Sequence, residues 1–355
     1  MSAQKPVIAG DFSVPPGVAE GTEHTVEDDL WFLPGPPEEE PAHLPPGPRA
    51  EQVETTIIAD WVKAEAALAA HLARVAGRLG ALDERLRRGP EGWRHRLALF
   101  EAAELSWFSG DRITPDRLAL WMALRLSGAQ EDTGALARVG WAARRLTGGP
   151  GPEAGLAAFL DRRDPANIAD QAEPFAERAA GWCELMDTAY ELHPISRSCM
   201  GYHLWALAGL GAHGDRIEAA VTAARIAARE GQGAIFAPLA MGGAGGLRAG
   251  GQPVERLARW IDGMDQAVLT AMRRLDDIGA WSARTQTAMA ALSGRTPPAL
   301  HEVFSEWPIV SAPMAEALSG ASRAAVQRNL AWMEARGLIR EVTGQGRFRM
   351  WRAAV

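Results

Sequence analysis

The sequence predicts a mainly α-helical protein, with an all-α helical body followed by a C-terminal winged helix-turn-helix domain. Two observations support this fold class. Apolar residues recur at steps of three and four from about residue 54 to residue 292, which is the spacing of one buried helix face. Alternating β-branched runs are scarce before residue 338, after which two short alternating runs flank a glycine-containing turn.

Composition divides the chain into three predicted regions. The chain has 355 residues and 47% apolar content, enough for a sizeable core. Residues 1–50 are rich in Pro and Glu and are predicted to be largely disordered, because proline removes backbone donors and opposes helix formation. The apolar run at 30–33 is either a strap on the folded body or a partner-binding motif. Residues 51–295 are predicted to form the all-α domain, and residues 296–355 the winged helix-turn-helix domain.

The helices of the body are predicted from their apolar spacing and their end signals. The first begins near Glu54 and ends at Gly89-Pro90, and the second covers about 93–108. Thr114 has the position of an N-cap, ahead of Pro115 and a helix at 118–126. Further helices are predicted at about 134–146, 153–160, 174–192, 198–210, 216–229 and 254–292.

Charge and cysteine content indicate the compartment. The net charge is -7, and Cys183 and Cys199 do not form a CxxC pair. No signal peptide is recognisable at the start of the sequence, and no apolar run reaches about 18 residues. We therefore expect a cytoplasmic protein with no membrane partner.

Two segments superficially resemble ligand sites. The glycine-rich segment at 241–251 departs from GxGxxG at Arg248 and lacks the Lys and Ser/Thr of a phosphate-binding loop, so a mobile inter-helix loop is expected. Cys199 and His203 lie one helical turn apart, but a metal site needs further ligands at regular spacing. The sequence predicts no metal site and no cofactor.

His193-Pro194 resembles the start of the motif of the Fic family of AMP-transferring enzymes. In that family the His acts as general base, and a following glycine-rich turn with an Arg holds the nucleotide phosphates. Here residues 196–201 do not supply that turn, since Ser198, Cys199 and Met200 carry side chains where phosphate would need open backbone amides. The resemblance implies a degenerate Fic-like body, and we predict no catalytic residue.

A second resemblance covers about residues 50–355. The helical body and the terminal sequence Leu338-Ile-Arg-Glu-Val-Thr-Gly-Gln-Gly-Arg-Phe-Arg349 resemble an alphaproteobacterial family, rhizobial and often plasmid-borne. Its members pair a helical domain of unknown function with a C-terminal helix-turn-helix DNA-binding domain. The resemblance implies DNA binding and no assigned reaction.

The C-terminal segment differs in charge from the acidic chain that precedes it. Residues 311–355 hold seven Arg and three Glu, a local net charge of +4. A basic segment on an acidic protein suits a reader of double-stranded DNA that does not coat DNA nonspecifically.

Local signals predict how this segment folds. Ser311 and Ser322 are expected to cap the second and third helices, and Ser319-Gly320 to form the turn between them. The predicted core comprises Leu318, Val326, Leu330 and Met333, together with Val303, Phe304 and Ile339.

The same spacing predicts the DNA-binding residues. With Val326, Leu330 and Met333 buried, the groove-facing set is Ser322, Arg323, Gln327 and Arg328. Arg347 and Arg349 are assigned to phosphate or minor groove, alternating with packed Phe348 and Met350. A winged helix used for protein contact is the alternative.

These patterns favour a transcriptional regulator that binds DNA as a homodimer and senses an unidentified effector or protein partner through its body. Two other functions stay open: a Fic-like AMP-transferring enzyme with a DNA-binding appendage, and a plasmid maintenance or toxin–antitoxin component.

Overall fold

The computed structural model describes residues 50–124, 132–161, 175–211, 216–344 and 348–355. Apart from Ala50, the predicted tail at 1–50 lies outside the described residues. The described residues belong to one compact unit, Ala50–Val355. The fold is mainly α-helical, as predicted, with a single small sheet near its C-terminus among the described residues.

Twelve α-helices occur in the described part of the chain. They are α1 Ala50–Arg88, α2 Gly92–Phe108, α3 Pro115–Leu124, α4 Thr133–Thr147, α5 Leu156–Phe159, α6 Phe175–Thr188, α7 Pro194–Trp205, α8 Ile217–Ala227, α9 Pro253–Met289, α10 Thr296–Glu306, α11 Ala312–Ser319 and α12 Arg323–Ala335. No helix of the described residues is long and apolar enough to cross a membrane.

The two longest helices, α1 and α9, pack side by side and run parallel. Three side-chain contacts, two of them arginine–aspartate ion pairs, show the direction, because their residue numbers rise together along both helices. They are His71–Asp262 at 3.1 Å, Arg78 Nη1–Asp265 Oδ1 at 2.6 Å and Arg85–Asp276 at 2.8 Å. The helices α7 and α8 pack against each other, as do α2 and α4, and these elements together enclose a large first core.

The start of α7 differs from the prediction. The helix begins at Pro194 rather than at residue 198, because the imidazole Nδ1 of His193 accepts a hydrogen bond from the Ile195 amide at 3.1 Å and so acts as its N-cap. Correspondingly, α6 ends at Thr188, and residues 189–192 form the turn between them.

The glycine-rich segment is packed onto the body. It contains a 3₁₀ turn, Ala244–Leu247, in which Leu247 is fully buried. Gly246 lies so close to Gly263 of α9 that a Cβ on Gly263 would stand 2.8 Å from the Gly246 Cα. Two facing glycines therefore permit a close backbone approach between this turn and α9.

A second hydrophobic core lies under the C-terminal helices. It contains Leu300, Val303 and Phe304 of α10, Val326, Leu330 and Met333 of α12, and also Ile278, Trp281 and Met289 from the last part of α9. The change from the first core to the second thus occurs within α9, between Leu275 and Ile278.

Three short strands cover this second core. They are β1 Val310–Ser311, β2 Ile339–Glu341 and β3 Met350–Ala353, in the order β1-β3-β2, with both pairs antiparallel. The pair β2–β3 is a hairpin whose register places Arg340 opposite Arg352.

Candidate nucleic-acid interface

The geometry of α11 and α12 is set by local capping interactions. The Ser311 hydroxyl accepts a hydrogen bond from the Met314 amide at 3.3 Å at the start of α11. Gly320 ends α11 in the left-handed region, with φ 63° and ψ 15°. Ser322 then accepts from the Ala325 amide at 3.4 Å and caps α12. The predicted caps and the predicted glycine turn are confirmed.

One face of α12 is buried and the opposite face is exposed. Val326, Leu330 and Met333 are 0–1% exposed and anchor the helix to the second core. The exposed side, which we call the recognition face, contains Ser322, Arg323, Ala324, Gln327 and Arg328. It occupies the first turns of α12, where unpaired backbone amides and the helix dipole also favour negative groups.

The two arginines of the recognition face have no counter-ion in the described part of the chain. Among the described residues, neither Arg323 nor Arg328 forms an ion pair, although ion pairs are numerous elsewhere in the chain. Their guanidinium groups therefore present uncompensated positive charge and unused donors to whatever approaches this face.

The prediction that Leu318 joins the core is wrong, since its exposure is 49%. The inward face of α11 is formed instead by Ala312 and Ala315, which are 9% and 0% exposed. Small residues there let the short helix lie close to α10 and α12, and Leu318 stays on the outside.

The carboxylate of Glu334, near the end of α12, binds side chains of the hairpin. Glu334 accepts from Nη2 of Arg349 at 2.9 and 3.1 Å and from Nε1 of Trp351 at 3.2 Å. The Arg349 guanidinium also lies over the Trp351 ring, 5.0 Å from its centroid. Arg349 therefore holds β3 against α12, a role that alternation along the strand does not predict.

The residues around Arg349 follow the predicted alternation of packed and basic side chains only in part. Phe348 is 76% exposed with φ 57°, so its predicted packing is wrong: the left-handed backbone turns it away from the core. Met350 is buried, as predicted. Arg347 lies outside the described residues. Glu341 closes the turn by accepting from the Thr343 and Gly344 amides at 2.8 and 3.0 Å.

The remaining arginines of the sheet face the body. Arg352 Nε and Arg340 Nη2 lie 3.1 and 3.7 Å from the same oxygen, Oδ2 of Asp116, in the first turn of α3. Like charges directly opposite each other on two strands repel, and the shared carboxylate offsets that repulsion.

Sequence reasoning missed Glu334, Glu341 and Asp116 as organisers of this region. Only Glu341 carries a local signal, since it precedes by two residues the Thr343-Gly344 turn that it caps. The other two act across the tertiary structure, and no spacing marks them.

The His193 region lines a cavity of about 180 Å³, together with Asp83 and Glu230. His193 Nδ1 is used as the cap of α7, its backbone amide donates to Glu65 at 3.0 Å, and burial lowers the pKa of its imidazole. Cys199 is fully buried, and burial raises the pKa of its thiol. The degenerate Fic-like character of the body stays a prediction, and the AMP-transferring enzyme stays its alternative.

Comparison with known proteins agrees with the C-terminal geometry. Residues 297–353 match a family model described as an HTH DNA binding domain. No curated protein matches the chain. The match does not extend to residues 51–295, so the resemblance of the body to a known family stays a prediction. From the match and the observed helix–turn–helix, the chain carries a C-terminal helix-turn-helix domain of the DNA-binding kind.

Proposed function

We propose that this protein is a sequence-specific transcriptional regulator that binds duplex DNA as a winged helix. The observation that carries the proposal is the recognition face of α12, where Arg323 and Arg328 have no intramolecular partner among the described residues. Elsewhere in the C-terminal segment, Arg340, Arg349 and Arg352 are each paired with a carboxylate. Of the other described arginines in this segment, Arg336 lies over the Trp332 ring, while Arg323 and Arg328 lie in the N-terminal half of the helix that such domains insert in the major groove.

The four polar residues of this face each have a specific role in the proposal. Arg323 and Arg328 donate paired hydrogen bonds to guanine O6 and N7 or hold flanking phosphates, and Gln327 pairs with adenine. The Ser322 hydroxyl and the first amides of α12 bind a phosphate at the groove edge, since the positive end of a helix favours anions.

The hairpin takes the place of the wing. Arg347 and Arg349 contact phosphate or the minor groove in this arrangement, which is their role as predicted from sequence. Because the hydrogen bonds of Arg349 to Glu334 use Nη2 alone, its other nitrogens can donate outward while that pair keeps the hairpin aligned with α12.

A single domain of this size contacts only a short stretch of DNA, so useful sequence specificity requires a second domain bound beside it. We therefore propose a homodimer that binds two half-sites, because two-fold symmetry doubles the interface without a new binding surface. The helical body would provide the dimer contact and sense the effector or protein partner.

The test compares Arg323→Ala/Arg328→Ala with a charge-matched control, Arg74→Ala/Arg248→Ala, which removes two exposed arginines from the body. A duplex site is first selected from a random pool with the natural chain, and affinity is measured by fluorescence anisotropy at fixed salt. Loss of two base-contacting arginines lowers affinity about 30-fold or more, at roughly 1–3 kcal/mol each. The affinity of the control variant for the same duplex falls by less than about 3-fold.

Two outcomes would overturn the proposal. One is a random pool that shows no enrichment, which would favour the use of this fold for protein contact. The other is equal affinity of the recognition-face variant and its control, with unchanged circular dichroism in both. A salt series separates the roles: if Arg347 neutralises one phosphate, Arg347→Ala lowers affinity for all sequences and flattens the salt slope by about one unit.

A further inference from the structure

A small cleft lies where the helical body meets the C-terminal sheet. Its walls come from α2, the start of α3, α9 and the end of β3, and its volume is about 50 Å³. One water-sized group needs about 10–15 Å³, so the cleft holds about four such groups beneath its open mouth. That is the size of a short organic molecule.

Arg96 makes this cleft more than a packing gap. It is only 9% exposed, and its Nη2 donates to the carbonyl oxygens of Phe304, at 2.5 Å, and of Trp307. Its buried Nε has no hydrogen-bond partner in the described part of the chain. No described carboxylate pairs with its charge. Burial, and to a smaller extent the nearby positive charge of Arg352, lowers the pKa of the Arg96 guanidinium to about 9.

Arg352 adds a second cation to the cleft lining. Its Nε is buried and lacks a hydrogen bond, although Asp116 Oδ2 stands 3.1 Å away as an ion-pair partner. Asp116 is also shared with Arg340. The cleft lining includes three arginines, with Arg274 as the third, and only two aspartates, Asp116 and Asp277.

A buried cation without a counter-ion is costly, and a buried donor without a partner adds to that cost. A carboxylate would offset the cost of the buried charge, because its two oxygens accept from the outer nitrogens of guanidinium groups in fixed geometry. The Nε of Arg96 is too deeply buried to take part. The rest of the lining is largely apolar and includes Phe100, Leu275, Ile278 and Ala353. A few convergent polar groups in an apolar cleft between two parts of a protein are typical of a ligand site.

We propose that this cleft binds a short organic monocarboxylate. The carboxylate lies between Arg96 and Arg352, and its alkyl chain lies against the apolar wall. A doubly charged anion fits less well, because Asp116 and Asp277 border the site. The site involves residues on both sides of the junction, so an occupant contacts the body and the C-terminal sheet at once. The inference does not rest on DNA binding.

Sodium propionate is the probe, with propionamide as the uncharged control of equal shape and sodium chloride added to equalise ionic strength. Thermal unfolding and saturation-transfer NMR are recorded on the full chain. At ten times its Kd, propionate raises the melting temperature by about 2 °C, and its methyl protons receive saturation. Propionamide has neither effect.

Arg352→Gln removes the more accessible cation and should weaken propionate binding about 10-fold. The matched control, Arg74→Gln, removes an exposed arginine of α1 and leaves binding unchanged. If Arg352→Gln disturbs folding, Arg274→Gln at the exposed rim replaces it, with an expected loss of about 3-fold. Absence of propionate binding, equal binding of propionamide, or unchanged affinity in the cleft variants would each overturn the proposal.

Discussion

The helical body and the C-terminal module (residues 296–355) place their charged side chains in opposite ways. Among the described residues, the charged side chains classed as buried are Arg96, Glu101, Arg197 and Asp265, and all four lie in the body. The described residues of the module include no buried charged side chain. Its described arginines form ion pairs at its surface, lie over an aromatic ring as Arg336 does, or, on the recognition face, have no ion-pair partner among the described residues.

This difference separates charges that hold the chain together from charges that can bind a partner. Glu101 is 0% exposed and accepts hydrogen bonds from the Leu239, Ala240 and Met241 amides at 2.8, 2.9 and 3.1 Å. It fixes a loop 138 residues away in the sequence. Among the described residues, Arg323 and Arg328 form no ion pair, and the proposed function assigns them to DNA.

The pH dependence of stability should be the largest effect, and it should come from the body. Burial raises the pKa of Glu101 to about 7 from an ordinary value of 4.5, despite the three amide donors. Between these values the folded protein keeps a proton that the unfolded chain has released. The free energy of unfolding contributed by Glu101 therefore falls as the pH rises through this window, by up to about 3 kcal/mol.

Urea denaturation of the natural chain and of Glu101→Gln, from pH 4.5 to 7.5, measures this contribution as the pH-dependent difference between the two. A difference that grows with pH would contradict the assignment, because it would mean that the folded state holds the ionised carboxylate.

Glu101→Gln should also lower the free energy of unfolding by a smaller amount that does not depend on pH. In Glu101→Gln the side-chain amide replaces one carboxylate oxygen, so one of the three backbone amides loses its acceptor in a buried site. We expect a loss of about 2 kcal/mol at pH 5. Glu302→Gln, at an exposed position on α10, should change stability by less than about 0.5 kcal/mol. Equal effects would remove the contrast between body and module.

The module depends on a backbone conformation more than on buried charge. In Gly320→Ala the new Cβ meets no atom within 4 Å, so the cost comes from φ alone and should be about 1 kcal/mol. Gly279→Ala also adds a Cβ in open space, but within α9, and should stabilise by about 0.5–1 kcal/mol. Thermal melts of both variants test the opposite signs.

The smallest effect should be the pair of Glu334 and Arg349. Both side chains are partly exposed, at 33% and 41%, so solvent screening limits their coupling to at most about 1 kcal/mol. A double-mutant cycle with Glu334→Gln and Arg349→Gln measures it. A coupling free energy of several kcal/mol would contradict this, because it would mean that the ion pair stabilises the hairpin as strongly as buried charges stabilise the body.

Most of what the sequence predicted correctly depends on contacts between residues three or four apart. Helix spacing located most of the helices within a few residues, and Ser311, Gly320 and Ser322 located the ends of α11 and α12. The same periodicity separated the buried face of α12 from its exposed face, because a helix repeats every 3.6 residues wherever it packs. Fold class and the helix-turn-helix could therefore be predicted from the sequence.

The tertiary structure decided which charged residues have partners. Arg349 pairs with Glu334, 15 residues away, and Arg96 with the Phe304 carbonyl, 208 residues away. It also decided that Leu318 and Phe348 are exposed and that the end of α9 belongs to the second core. Such contacts depend on how elements meet in space, and the local sequence is the same whether they form or not. The sequence alone determined where arginines occur, and the fold determined which of them remain available.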